Sequence, residues 1–112
     1  MGPSDRAVKD LVRSVVNSVH PLRIVLFGSA ARGSMNADSD LDVLVVMPED
    51  SPKRRTAQRL YQEIRGLGVP FEIVVATPQD LDKYENQVGL IYREILNEGI
   101  EIYARSEEHT SE

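Results

Sequence analysis

The chain has 112 residues, enough for one hydrophobic core and too few for two of normal size. A formal net charge of -5 makes the surface as a whole repel polyanions, which argues against a long nucleic acid as the main partner. The absence of cysteine excludes a disulfide framework and a thiolate metal site. With no signal-peptide pattern and no apolar run as long as a membrane span, the cytoplasm is the expected location.

Pro3 and Ser4 resemble a helix start, and Ala7, Val8, Leu11, Val12, Val15, Val16 and Val19 then recur at helical spacing until Pro21 stops them. Leu22 to Phe27 is a short run rich in branched residues and reads as a buried strand. Gly28 to Ser39 is small and polar, too long for a tight hairpin, with a short helix expected around Ala30 to Arg32. Asp40 to Met47 returns to strand character and Pro48 ends it. Ser51 and Pro52 read as an N-cap followed by proline at the first helical position. Behind them Ala57, Leu60, Tyr61, Ile64 and Leu67 form one apolar face, and Gly66 and Gly68 close the helix.

Phe71 to Ala76 is a third strand, followed by the capping-box-like start Thr77, Pro78, Asp80. A further helical stretch carries Val88, Ile91, Tyr92, Ile95 and Leu96 and ends at Gly99. Ile100 to Tyr103 alternates as a final edge strand, and residues 105–112 read as a disordered polar tail beyond a domain spanning 1–104. The order of elements predicts a small α/β (α+β) domain with a mixed sheet and helices packed on one side of it.

The informative stretch is Phe27-Gly28-Ser29-Ala30-Ala31-Arg32-Gly33-Ser34, followed by Ser39-Asp40-Leu41-Asp42. Asp40 and Asp42 are two apart at a strand start, so both side chains point to one face, with alpha carbons roughly 6.5 to 7 Å apart. From there both carboxylates can bend onto hard cations; magnesium commonly combines one or two carboxylates with substrate phosphates and water. On an otherwise apolar strand, two such charges repel each other strongly without a cation. Gly28 and Ser29 directly follow the first strand, where glycine admits close backbone approach and a serine hydroxyl can hold phosphate oxygens. A helix starting at Ser29 or Ala30 would add its N-terminus to that cradle. Arg32 is a further candidate for phosphate contact, and Ser39 either caps the strand start or joins the nucleotide-binding set.

Gly28-Ser29, ten residues, then Asp40-Leu41-Asp42 resembles the signature of the DNA polymerase beta-like nucleotidyltransferase superfamily. Within it, the short chain and the wording Gly-Ser-Ala-Ala-Arg-Gly look like the minimal nucleotidyltransferases. The resemblance runs from the first helix to about Tyr103 and implies a polymerase beta-like core. It also implies a third carboxylate on a later strand, and Glu72 is the matching position. Many relatives carry aspartate there, so glutamate is a departure whose longer side chain bears on the second metal. Asp40, Asp42 and Glu72 are then the catalytic metal ligands, for Mg2+ or Mn2+. Gly28, Ser29, Arg32 and Ser39 are the nucleotide contacts, with ATP as substrate. The implied reaction is in-line displacement at the α-phosphate, in which pyrophosphate leaves.

The chain is too short for the second domain that larger nucleotidyltransferases use to bind their acceptor, which calls for another chain or self-association. Minimal nucleotidyltransferases are paired with small helical HEPN proteins in modules of toxin–antitoxin type. The resemblance therefore implies an antitoxin that adds AMP to a tyrosine of its HEPN partner. Two other readings remain beside it: a non-catalytic antitoxin that covers its partner, and a transferase acting on a small molecule. Lys53, Arg54, Arg55 and Arg59 read as a solvated helix face. Tyr61 and Tyr92 read as core, and neither His20 nor His109 as a catalyst.

Overall fold

In the computed structural model, which describes residues 3–28, 40–85, 95 and 98–105, the first apolar repeat forms helix α1 (Pro3–Val19). Ala7, Leu11 and Val15 lie one turn apart on its buried line, and Val8, Val12, Val16 and Val19 flank them. His20 ends the helix with a positive φ of 54°, its N–H still bonded to the Val16 carbonyl at 3.1 Å. The Arg105 guanidinium donates to the His20 carbonyl, and the Arg105 N–H bonds to Leu22 O at 2.8 Å. Arg105 thus belongs to the folded body, one residue beyond the expected end of the domain at 104.

The strands β1 (Arg23–Phe27), β2 (Leu41–Val46), β3 (Phe71–Ala76) and β4 (Ile100–Ala104) form one sheet in the order β3-β2-β1-β4. β1 pairs antiparallel with both β2 and β4, whereas β2 and β3 run parallel. A parallel pair needs a crossover, supplied here by helix α2 (Lys53–Glu63). Helix α3 (Pro78–Glu85) follows β3. β4 is the final edge strand expected from the alternation at 100–103, with a register shift opposite Ile24/Val25 and an Arg23–Glu101 ion pair of 2.8 Å. No helix among the described residues is long and apolar enough to cross a membrane.

The mixed sheet with packed helices is as the sequence predicts, but the helices are not confined to one side. One cluster joins α1 and α2 to Ile24, Leu26, Leu41, Val43, Val45 and Ile73. On the opposite face Val25, Leu44, Val46 and Ala76 pack with Leu81 of α3 and with Ile95. The cause lies in β2, where Leu41, Val43 and Val45 alternate with Leu44 and Val46. A central strand that is apolar on both faces must be covered on both. On the second face, the row at the start of β2 and β3 breaks the apolar pattern with Asp42 and Glu72, one residue pair before Leu44 and Val74.

α2 departs from its sequence reading at both ends. Ser51 does not cap it; its hydroxyl donates to Pro48 O at 2.6 Å, and Pro52 takes the N-cap position, its carbonyl accepting the Thr56 N–H at 2.9 Å. The helix stops at Glu63, and Ile64 is extended at φ -83°, ψ 117° while its N–H still bonds to Leu60 O. Gly66 and Gly68, with φ of 74° and 83°, shape the turn that follows instead of ending the helix. The buried residues of this segment are Thr56, Leu60 and Ile64. Tyr61, expected in the core, is 46% exposed; its ring stacks on Phe71 with centroids 5.5 Å apart, and its hydroxyl accepts the Ile73 N–H at 2.8 Å. Arg54, Arg55 and Arg59 are exposed, as a solvated face requires. The helical stretch expected over 88–96, with Tyr92, lies outside the described residues except for Ile95, which is helical and buried.

The start of α3 is the reciprocal cap that the sequence suggests. The Thr77 N–H bonds to Asp80 Oδ2 at 3.1 Å, and the Asp80 N–H bonds to Thr77 Oγ1 at 3.2 Å. Asp80 Oδ2 also accepts from Lys53 Nζ at 2.7 Å, tying the first turn of α2 to that of α3. The bonded Lys53 ammonium holds the Asp80 carboxyl below its ordinary 3.8; burial opposes this and the Thr77 N–H reinforces it. A lowered folded-state pKa gives stability that is present above 3.8 and lost as pH falls through the folded value. Asp80→Ala is therefore expected to cost about 1 to 2 kcal/mol near neutral pH, from the cap and a partly exposed ion pair together. In urea titrations the difference between the two proteins should shrink as the pH is lowered below 3.8.

Candidate metal and nucleotide site

The β2–β3 ladder sets the geometry of the acidic residues. Leu41 is fully buried and donates its N–H to Pro70 O at 2.9 Å, which locks the first residue of β2 against the approach to β3. Leu41 thus anchors the stretch while its neighbours Asp40 and Asp42 turn to the opposite face. In register, Asp42 stands beside Glu72 of β3 on one side and Phe27 of β1 on the other. Asp40, Asp42 and Glu72 each bring a carboxylate oxygen to within 4.8 Å of the others; Asp40 and Glu72 are exposed and Asp42 is half-buried.

Like charges directly opposite on neighbouring strands destabilise a sheet. The cost is visible on Asp42, whose carboxyl is pushed above its ordinary 3.8 by burial first, then by Glu72, then by Asp40. Three hard oxygen donors at this separation suit a divalent cation that prefers oxygen, such as magnesium or manganese, and binding one would remove the repulsion.

Gly28 closes β1 beside this row with a φ of 78°. A Cβ built there would lie 2.5 Å from Asp42 Oδ2. Glycine is favoured there by the left-handed backbone, and any side chain would also have to displace the end of the Asp42 carboxylate. The sequence suggested close approach of phosphates at this turn; the contact with Asp42 was not legible, because it depends on the β1–β2 register. Ser29, Arg32, Ser39 and the short helix expected at 30–32 lie outside the described residues. Tyr61 was also missed as a neighbour of the site: nothing in its sequence surroundings marks a contact with the residues on either side of Glu72.

An acidic trio at the start of two adjacent parallel strands, beside a glycine turn on a small α+β sheet, is the arrangement expected of a nucleotidyltransferase-type domain. The family model described as Polymerase beta, Nucleotidyltransferase matches residues 9–108, and the chain belongs to that family. A solved structure assigned as a nucleotidyltransferase from Sulfolobus solfataricus is similar to it with TM-score 0.60 and 22% identity, over 89% of this chain and 79% of that one. A structure assigned as a minimal nucleotidyltransferase matches with TM-score 0.55 and 25% identity, over 89% and 95%. A toxin–antitoxin structure with AMP-PNP matches with TM-score 0.54 and 17% identity, over 99% and 80%. Comparison with curated proteins gives no significant match.

Two expectations follow from this geometry. Gly28→Ala should destabilise the fold by more than the roughly 1 to 2 kcal/mol of a left-handed alanine, because the methyl group meets Asp42 as well. Removing that carboxylate in Gly28→Ala/Asp42→Ala should recover the excess, which a double-mutant cycle by denaturant titration measures. The second concerns pH. A raised folded-state pKa means that the native chain binds the Asp42 proton more tightly than the unfolded one, so the stability of the metal-free protein falls as pH rises from 3.8 through the folded value. Asp42→Asn should remove that fall and raise Tm in EDTA at neutral pH; a lower Tm would contradict the electrostatic account.

Proposed function

We propose that the chain is a metal-dependent nucleotidyltransferase that moves AMP from ATP onto a tyrosine of a HEPN-type partner and acts as its antitoxin. The observation that carries the reading is the meeting of Asp40, Asp42 and Glu72 within 4.8 Å beside the Gly28 turn. Membership of the nucleotidyltransferase family supports it, as do structural neighbours that are toxin–antitoxin complexes, one of them with AMP-PNP. A cytoplasmic location, where ATP is supplied, belongs to the same reading.

Asp40, Asp42 and Glu72 would hold magnesium or manganese. When bound, the ion supplies positive charge that screens the phosphates and favours ionisation of the acceptor hydroxyl. The chain's own contribution is positional. Leu41, buried in the core, fixes the two aspartates that flank it, and register with β3 fixes Glu72 opposite. The Gly28 turn keeps the space before Asp42 clear of side-chain atoms, and Ser29, Arg32 and Ser39 are the proposed phosphate contacts. In the transfer, the tyrosine oxygen forms a bond to the α-phosphorus and the bond from that phosphorus to the α–β bridging oxygen breaks. Pyrophosphate leaves with the bridging oxygen, and the hydroxyl proton is released.

The test is incubation with labelled ATP, magnesium and the HEPN-like protein encoded beside it. Label is expected on the partner, and none with Asp40→Asn/Asp42→Asn or with EDTA. Catalysis also predicts that a trace of the chain protects the partner's RNA target, since one molecule modifies many. Full protection by the double variant at equimolar dose would instead mean that the chain neutralises by covering its partner.

A further inference from the structure

Glu72 is exposed and, among the described residues, no hydrogen-bond donor meets its carboxylate, so the backbone that carries it sets the face and position from which the side chain starts. That backbone is β3, an edge strand paired with β2 on one side only. Edge strands keep a row of unpaired N–H and C=O groups on their open side and are the least constrained part of a sheet. Beside Glu72 the open side is occupied. The Ile73 N–H donates to the Tyr61 hydroxyl at 2.8 Å, and the Phe71 ring stacks on the Tyr61 ring at 5.5 Å with 17° between planes. One side chain of α2 thus holds the residue before Glu72 and the residue after it.

Burial does not account for Tyr61, which is 46% exposed on a helix whose core contacts are made by Thr56 and Leu60. Phe71 and Ile73 belong to the α1/α2 face, so Glu72 between them is turned to the opposite face, toward Asp42. A grip on both flanking residues from one face fixes the direction of the residue that points to the other. We propose that Tyr61 is a positioning residue for Glu72: through the β3 backbone it holds the third carboxylate at the spacing from Asp40 and Asp42 that a divalent cation needs. The proposal rests on reading the trio as a cation site.

Tyr61→Phe keeps the ring stack and removes only the hydroxyl that accepts the Ile73 N–H. Calorimetric titration with Mn2+ alone, without nucleotide, is expected to show affinity weakened on the order of 10-fold, the scale of groups that orient metal ligands. Phe71→Leu, which keeps the hydroxyl and loses the stack, should act in the same direction. In a Glu72→Gln background Tyr61→Phe should cause no further loss, because its effect runs through that carboxylate. Amide exchange of Ile73 in the metal-free protein should quicken in Tyr61→Phe. Unchanged Mn2+ affinity in Tyr61→Phe, or the same loss in the Glu72→Gln background, would overturn the proposal while leaving the cation site intact. Absence of Mn2+ binding by the wild type would overturn the cation reading itself, and the proposal with it.

Discussion

Three carboxylates within 4.8 Å of one another repel, by an amount on the order of 1 kcal/mol per pair in a water-like surroundings. The rest of the fold is arranged to withstand that. Asp42 cannot move away without carrying β2, and every other residue of β2 is buried. The strand is anchored between β1 and β3 and covered on both faces, so the charge sits at the one end of the best-buried element in the sheet. The pKa of Asp42 is raised for the same reasons of position: burial first, and then the charges of Glu72 and Asp40, disfavour its ionised form.

The legibility of the site divides along the distinction between local and non-local structure. Asp40 and Asp42 were readable as a pair because the period of a strand is fixed by its backbone. The capping residues Thr77 and Asp80 were readable because a cap spans three residues. From its own surroundings Glu72 was readable only as an acidic residue on an apolar strand; its place as a third carboxylate came from the family resemblance. Its register opposite Asp42 is set by the α2 crossover, whose geometry no local pattern encodes. The same limit explains Gly28, whose steric need for glycine comes from a strand paired across the sheet. It also explains Tyr61, whose partners lie ten and twelve residues further along.

Where the reading of helix α2 erred, the reason is competition between local signals. Ser51 could cap the helix, but its hydroxyl is used on Pro48 in the preceding turn, and Pro52 can serve as N-cap through its carbonyl alone. At the other end the apolar repeat runs on past Ile64, yet the segment leaves helical geometry there and still buries Ile64. Hydrophobic periodicity reports which residues face the core, and a chain can satisfy it after the helix has ended. The expectation of helices on one side failed on a comparable point. Strand β2 was recognised as apolar throughout, but the consequence of that pattern is cover on both faces.

The two ends of the β2–β3 pair are built for different tasks. At the end of the strands, Met47 N–H bonds to Ala76 O at 2.8 Å, Lys53 meets Asp80, and Glu49 accepts the Gln79 N–H at 2.7 Å at the start of α3. Opposite charges and a helix N-terminus meet acidic groups there, and each contact is favourable in the protein alone. At the start of the strands the carboxylates face one another, which is unfavourable in the protein alone. A protein that optimised both ends for stability would replace Asp42 or Glu72 and lose the site. The contacts at the far end help to hold the β2–β3 register that both ends share. Tyr61 completes the arrangement on the open edge, where the ladder alone leaves β3 held from one side.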